Sequence, residues 1–115
     1  MDGLENATCA RTTIENDPWW SVELENNDYI NAVTITNCCK EIIENVEILV
    51  VHKDGNSMKI CGFIHKLKDN QSVTVLCPSD VFGRHVTIRI AGENKSLSIC
   101  EVQVYKNQGK IIGII

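Results

Sequence analysis

Aromatic side chains are scarce in this chain, 5% of 115 residues, so any core has to be assembled from Val, Ile and Leu. Basic runs are absent, and a formal charge of −4 with a sequence pI near 5.3 excludes the electrostatic footprint of a nucleic-acid-binding surface. Apolar stretches such as 48–51 and 111–115 are far too short to span a bilayer. The opening Met1-Asp2-Gly3-Leu4-Glu5-Asn6 has neither a basic start nor an apolar segment, so it is not a signal peptide. Internal repeats, linkers and low-complexity segments are missing as well. No G-x-S-x-G, no Cys/His signature with context and no readable carboxylate pair is found, so the chain is expected to be non-catalytic. What remains, 43% apolar and 23% charged residues, is the composition of one ordinary globular domain.

Cysteine is the residue in excess. Six occur, at 9, 38, 39, 61, 77 and 100, an even number in a small chain, which favours a disulfide framework. Reduced buried thiols are the alternative. Zinc is disfavoured because no two cysteines stand at C-x₂₋₄-C spacing and His52, His65 and His85 are scattered singly. Three sequons, at Asn6, Asn70 and Asn94, are compatible with a secretory route. A secreted framework without a leader implies a piece of a longer product or a start inside the domain.

The apolar periodicity is that of strands. Segments 19–24, 30–36, 46–52, 59–67, 72–77, 85–90 and 97–105 alternate or are rich in β-branched residues. Asn-, Asp- and Gly-containing turns separate them, with good signals at Asp54-Gly55-Asn56 and Ala91-Gly92-Glu93-Asn94. Seven short strands of this kind indicate an antiparallel sandwich or barrel. Only 41–48 has a helical alternative, and its β-branched content argues against it. The tail 106–115 departs from the pattern, leaving an edge strand, a loose end or the start of a further segment as open readings. Trp19 and Trp20 read as one core anchor and one surface or inter-sheet contact rather than a sugar-stacking pair, and Arg84 as the brace of a turn.

Three blocks carry a specific resemblance. They are Pro18-Trp19-Trp20-Ser21-Val22-Glu23-Leu24; Val33-Thr34-Ile35-Thr36-Asn37-Cys38-Cys39-Lys40-Glu41; and Phe82-Gly83-Arg84-His85-Val86-Thr87-Ile88 leading into Ser96-Leu97-Ser98-Ile99-Cys100-Glu101-Val102-Gln103-Val104-Tyr105. In this order, with six cysteines in register, the chain resembles an F-type (fucolectin-like) lectin domain over about residues 2–105. The resemblance implies an all-β, discoidin-like jelly-roll sandwich over 1–105, followed by a C-terminal tail over 106–115. The family's opening strand would precede Met1, and the unpaired edge left behind predicts poor solubility.

The resemblance also implies pairings: Cys9 with Cys100, Cys61 with Cys77, and Cys38 with its neighbour Cys39. In the loop model, closing about ninety residues removes about 4.6 kcal/mol of unfolded-chain entropy, and closing about seventeen removes about 3. The vicinal bond closes only a tiny strained ring, so stability is not its purpose. In F-type lectins it offers a flat sulfur surface to the edge of a fucose ring. Two free thiols facing opposite ways remain the alternative for Cys38 and Cys39, and an easily reduced vicinal bond makes a redox switch the rival role.

The family holds fucose with a basic tripod, and here the pattern departs. The histidine after the first cysteine is replaced by Arg11, the Arg-x-Asp triplet before the cysteine pair is deleted, and the second basic position falls on Ile42. The implied carbohydrate site is therefore Arg11, Cys38, Cys39 and Lys40, with a flexible ammonium standing in for a planar fork. A structural calcium is implied at Asp2, the Leu4 carbonyl, Thr8, the Cys100 carbonyl and Glu101, all hard oxygen donors. The expected function is a secreted fucose-type lectin domain with weakened or altered specificity, acting on glycans or glycoproteins, with no nucleic-acid partner and no membrane span. A homo-oligomer or tandem copies would supply avidity. The alternative is a degenerate lectin fold serving as a protein-interaction or adhesion module without sugar binding.

Overall fold

The computed structural model describes residues 10–37, 42–52, 58–106 and 110–114, and the side chains of 12–37, 42–52 and 58–106. Among the described residues ten strands run in chain order: β1 (Ala10–Arg11), β2 (Trp19–Tyr29), β3 (Ala32–Thr36), β4 (Ile43–Val51), β5 (Met58–Leu67), β6 (Ser72–Leu76), β7 (Phe82–Ile90), β8 (Ser98–Ile99), β9 (Glu101–Lys106) and β10 (Lys110–Ile114). Two four-stranded antiparallel sheets, ordered β2-β7-β4-β5 and β10-β9-β3-β6, are accompanied by a two-stranded ribbon of β1 and β8. This is the all-β sandwich expected, and no helix occurs among the described residues.

Alternation dictates the packing. Val46, Ile48 and Val50 of β4 and Val86, Ile88 and Ile90 of β7 turn one way and meet Val33 and Ile35 of β3 and Val102 and Val104 of β9. The largest fully buried side chains are all Ile, Leu or Val, as the shortage of aromatics requires. Each contributes roughly 1.5–3 kcal/mol of burial. Trp20 packs against this core while Trp19 stays 61% exposed, the division of labour read from the sequence.

Several boundaries differ from those expected, for local reasons. β2 runs on past 24 because a bulge absorbs four of its residues. Glu23 faces His85 and Asp28 faces Gly83, so 24–27 lie opposite Arg84 alone. Arg84 braces this bulge by donating from Nε to the Leu24 carbonyl at 2.8 Å. β4 starts at Ile43, confirming strand over helix there. The run 97–105 is interrupted at Cys100 into β8 and β9. Of the open readings of the tail, the structure has the edge strand: β10 pairs with β9, Lys110 opposite Lys106 and Ile114 opposite Gln103. The turn at Asp54-Gly55-Asn56 lies outside the described residues.

Where β5 and β6, the edge strands of opposite sheets, come together, Cys61 and Cys77 form the expected disulfide. Close approach is permitted by Gly62, where a Cβ would come within 2.5 Å of Val75 Cγ1. Lys59 reinforces the seam through an exposed ion pair of 3.1 Å with Asp80. The side-chain hydrogen bond from Lys59, aided by its charge, holds the Asp80 carboxyl below the ordinary aspartate value.

Candidate functional site

One pole of the sandwich gathers the ends of both sheets, where β3, β5 and β7 finish and β6 and β9 begin. Its centre is Asn37, the residue that follows β3 and precedes Cys38. Asn37 and Ser98 are both fully buried. The Ser98 hydroxyl donates to Asn37 Oδ1 at 2.7 Å, and Asn37 Nδ2 donates to the carbonyls of Leu67 and Lys68 at 3.2 and 3.4 Å. The Asn37 amide donates to the Gln71 carbonyl at 3.0 Å. One carboxamide thus ties the exit of β3 to the β5–β6 turn and to β8. Buried polar groups without such partners cost about 1–3 kcal/mol each, which fixes this arrangement against alternatives.

The turn that receives Asn37 is itself fixed locally. The Lys68 amide donates to Gln71 Oε1 at 2.8 Å and the Gln71 amide to the Lys68 carbonyl at 3.1 Å. Asn70 takes the left-handed conformation, φ 58°, which asparagine tolerates better than most residues.

On the other side, β1 is zipped onto β8. Ala10 faces Ile99 and Arg11 faces Ser98. Thr12 continues the seam: its amide donates to the Leu97 carbonyl, and its hydroxyl accepts from the Leu97 amide, each at 2.9 Å. Further along, the Gly92 amide donates to Asp17 Oδ1 at 2.8 Å and the Asn94 amide to Asn16 Oδ1 at 3.2 Å. Short polar side chains here do the work of turn formation.

These contacts bear on the few expected site residues that lie among the described ones. The backbone of Arg11 stands opposite Ser98, and Ser98 holds Asn37, whose chain neighbour is Cys38. The pole therefore brings Arg11 and the lead-in to the cysteine pair together. The Cys100 amide donates to the Thr36 carbonyl at 2.9 Å, and Glu101 faces Thr36 in the β3–β9 register, so Cys100 and Glu101 join the same pole. Glu101 is half-buried, and among the described residues its carboxylate takes no hydrogen bond or ion pair. Cys100 is disulfide-bonded. Asp2, Leu4, Thr8, Cys9, Cys38, Cys39 and Lys40 lie outside the described residues. Among the described residues no group of three or more His, Cys, Asp or Glu is gathered for a metal ion. Ile42, at the family's second basic position, is exposed.

Asn37 and Ser98 were missed as organising residues because each reads as an ordinary polar residue at a strand end. The one available signal was position: Asn37 separates the β-branched run 33–36 from the cysteine pair.

Comparisons with known proteins agree with the fold. A family model described as a NedA-like, galactose-binding domain matches residues 1–88. Fucolectin-1 of Anguilla japonica is 33% identical over 107 residues, covering 88% of this chain and 60% of that protein. A pentraxin fusion protein of Xenopus laevis is 31% identical over 112 residues, covering 91% of this chain and 26% of its own length. The chain thus spans at most about three-fifths of these two relatives. Among solved structures, an F-lectin (fucolectin) from striped bass (Morone saxatilis) serum superposes with a TM-score of 0.77 at 33% identity, over 90% of this chain and 38% of that one. A Streptococcus pneumoniae fucose binding module shares the fold alone, with a TM-score of 0.72 at 19% identity over 90% of this chain and 73% of that module.

Proposed function

Since the chain belongs to the family of NedA-like, galactose-binding domains, we propose that it is a non-catalytic, extracellular lectin domain that takes fucose-type glycans at the Asn37 pole. The relatives named for fucose support the ligand class, and the serum source of one solved relative supports the location. One structural observation carries the reading: Arg11 and the residue leading into Cys38 are held at one pole, Arg11 facing Ser98 and Ser98 donating a buried hydrogen bond to Asn37. Arg11 supplies a planar, permanently charged donor fork for sugar hydroxyls. Cys38 and Cys39 supply an apolar surface for the ring edge, and Lys40 a second cation. With one arginine where the family uses three basic groups, affinity per site is weak, and tandem or oligomeric display raises it to useful avidity.

Calcium belongs to the same reading. The half-buried carboxylate of Glu101, without a partner among the described residues, fits a hard-cation ligand, and the Cys100 carbonyl, Thr8, Leu4 and Asp2 are oxygen donors of the same class. Such an ion would hold the first and last segments of the pole together. It takes no part in recognition chemistry.

The test is binding of the disulfide-intact protein to immobilised fucosylated glycans, with and without Arg11→Ala. Selective retention abolished by the substitution supports the site. Retention indifferent to it removes Arg11 from recognition.

A further inference from the structure

Two of the chain's most exposed large side chains are aromatic and stand in a single row on the outer face of the β2-β7-β4-β5 sheet. Trp19 faces Arg89, Arg89 faces Glu47, and Glu47 faces Phe63. Trp19 is 61% and Phe63 62% exposed, in a chain with few aromatics to spare. Between them, both Nε and Nη2 of Arg89 donate to Glu47 Oε1, at 2.9 and 2.5 Å. Three strand spacings separate the rings, about 14 Å, the span of a few pyranose residues. Trp19 opens β2 and Arg89 is the penultimate residue of β7, so that half of the row lies at the same end of the sheet as the Asn37 pole, while Glu47 and Phe63 stand mid-strand on β4 and β5.

Beside Phe63 the surface opens into a groove of about 380 Å³ lined by Asn45, Glu47, His65 and Ala91. Among the described residues neither the Asn45 carboxamide nor the His65 imidazole has a hydrogen-bond partner. Asn45 is held at φ 57°.

We propose that this row is a second saccharide-binding site, taking a neutral oligosaccharide laid across the strands with Phe63 and Trp19 as its two platforms. An exposed ring beside a few convergent polar groups is the composition of a ligand site rather than of a solvated sheet face. The flat apolar face of a pyranose covers Phe63, while Asn45 and His65 supply donors and acceptors to its hydroxyl rim. Arg89 and Glu47 neutralise each other, so the row offers hydrogen bonds without net charge and favours neutral over sialylated or sulfated glycans. The polar groove distinguishes this from a purely apolar docking face. The inference does not depend on the Arg11 reading.

A printed array of neutral and acidic oligosaccharides, probed with multivalently displayed protein, tests it. Phe63→Ala should lower the signal about tenfold for a subset of neutral glycans, the size typical of losing one aromatic anchor. Phe63→Trp should retain that signal. Asn45→Gly, which keeps the left-handed backbone while deleting the amide, should weaken the same subset. Trp19→Ala should affect trisaccharides and longer chains but spare disaccharides, and Arg11→Ala should leave the Phe63-dependent subset unchanged. Because both rings are exposed, the melting temperatures of these variants should match the parent. No glycan depending on Phe63 would overturn the proposal. So would Phe63→Ala acting only by dissociating an oligomer in sedimentation, which would make this face an interface between copies.

Discussion

The hydroxyl of Ser98 donates to the side-chain oxygen of Asn37 across 2.7 Å, and neither residue is open to solvent. This bond links β8, the strand paired with the one that carries Arg11, to the segment that enters Cys38-Cys39, so the candidate site inherits its geometry from a buried amide.

Asn37→Ala should therefore destabilise the fold by roughly 1–3 kcal/mol, because it strands the Ser98 hydroxyl and the two carbonyls of the β5–β6 turn. Ser98→Ala should cost less. Since the two residues share one bond, the double variant should be less destabilised than the sum of the singles. Urea denaturation of the four proteins checks this, and strict additivity would contradict the coupling.

Glycine 83 marks a second constraint. A Cβ there would come within 2.7 Å of both the Val51 carbonyl oxygen and Val50 Cγ1. Backbone cannot move aside cheaply, so Gly83→Ala should cost about 1–3 kcal/mol as overpacking, read as a lower melting temperature. Gly62→Ala meets only a methyl of Val75 and should be milder.

The inter-sheet seam offers a third prediction. Replacing Cys61 and Cys77 together by Ala should remove about 3 kcal/mol by the loop-entropy argument, measured as a shift of the denaturation midpoint. An unchanged midpoint would mean that β5 and β6 are held by side-chain packing alone.

At the same seam, Lys59→Ala should return the Asp80 pKa upward toward the ordinary aspartate value, followed by NMR titration. The native shift is downward, so the pair's contribution is present above the unfolded aspartate pKa and fades as acid protonates Asp80. Both groups are well exposed, so the acid-denaturation midpoint should hardly move.

Much of the fold was legible in the sequence because alternation survives in the central strands: Val46, Ile48 and Val50, or Val86, Ile88 and Ile90, announce their buried face by spacing alone. The bulge at 24–27 was not, since its Glu-Asn-Asn run reads as a loop and the brace from Arg84 lies sixty residues away. β10 was ambiguous because Lys110 to Ile114 does not alternate, although its pairing with β9 is local, Lys110 facing Lys106 across three intervening residues. For the pole, the motif residues Arg11, Cys100 and Glu101 were pointed to by resemblance. Asn37 and Ser98 were not, because burial of a polar side chain follows from long-range partners. Phe63 shows the converse: its apolar character suggests a core position, yet the register with Glu47 turns it to solvent.

The central claim is that a sugar sits at the Asn37 pole. The most direct measurement is a titration of the isotope-labelled, disulfide-intact protein with methyl α-L-fucopyranoside, followed by backbone amide shifts. The largest perturbations should fall on Arg11, Thr12, Asn37, Ser98 and Cys100. Saturable shifts confined to other parts of the molecule, with these five amides unmoved, would contradict the account.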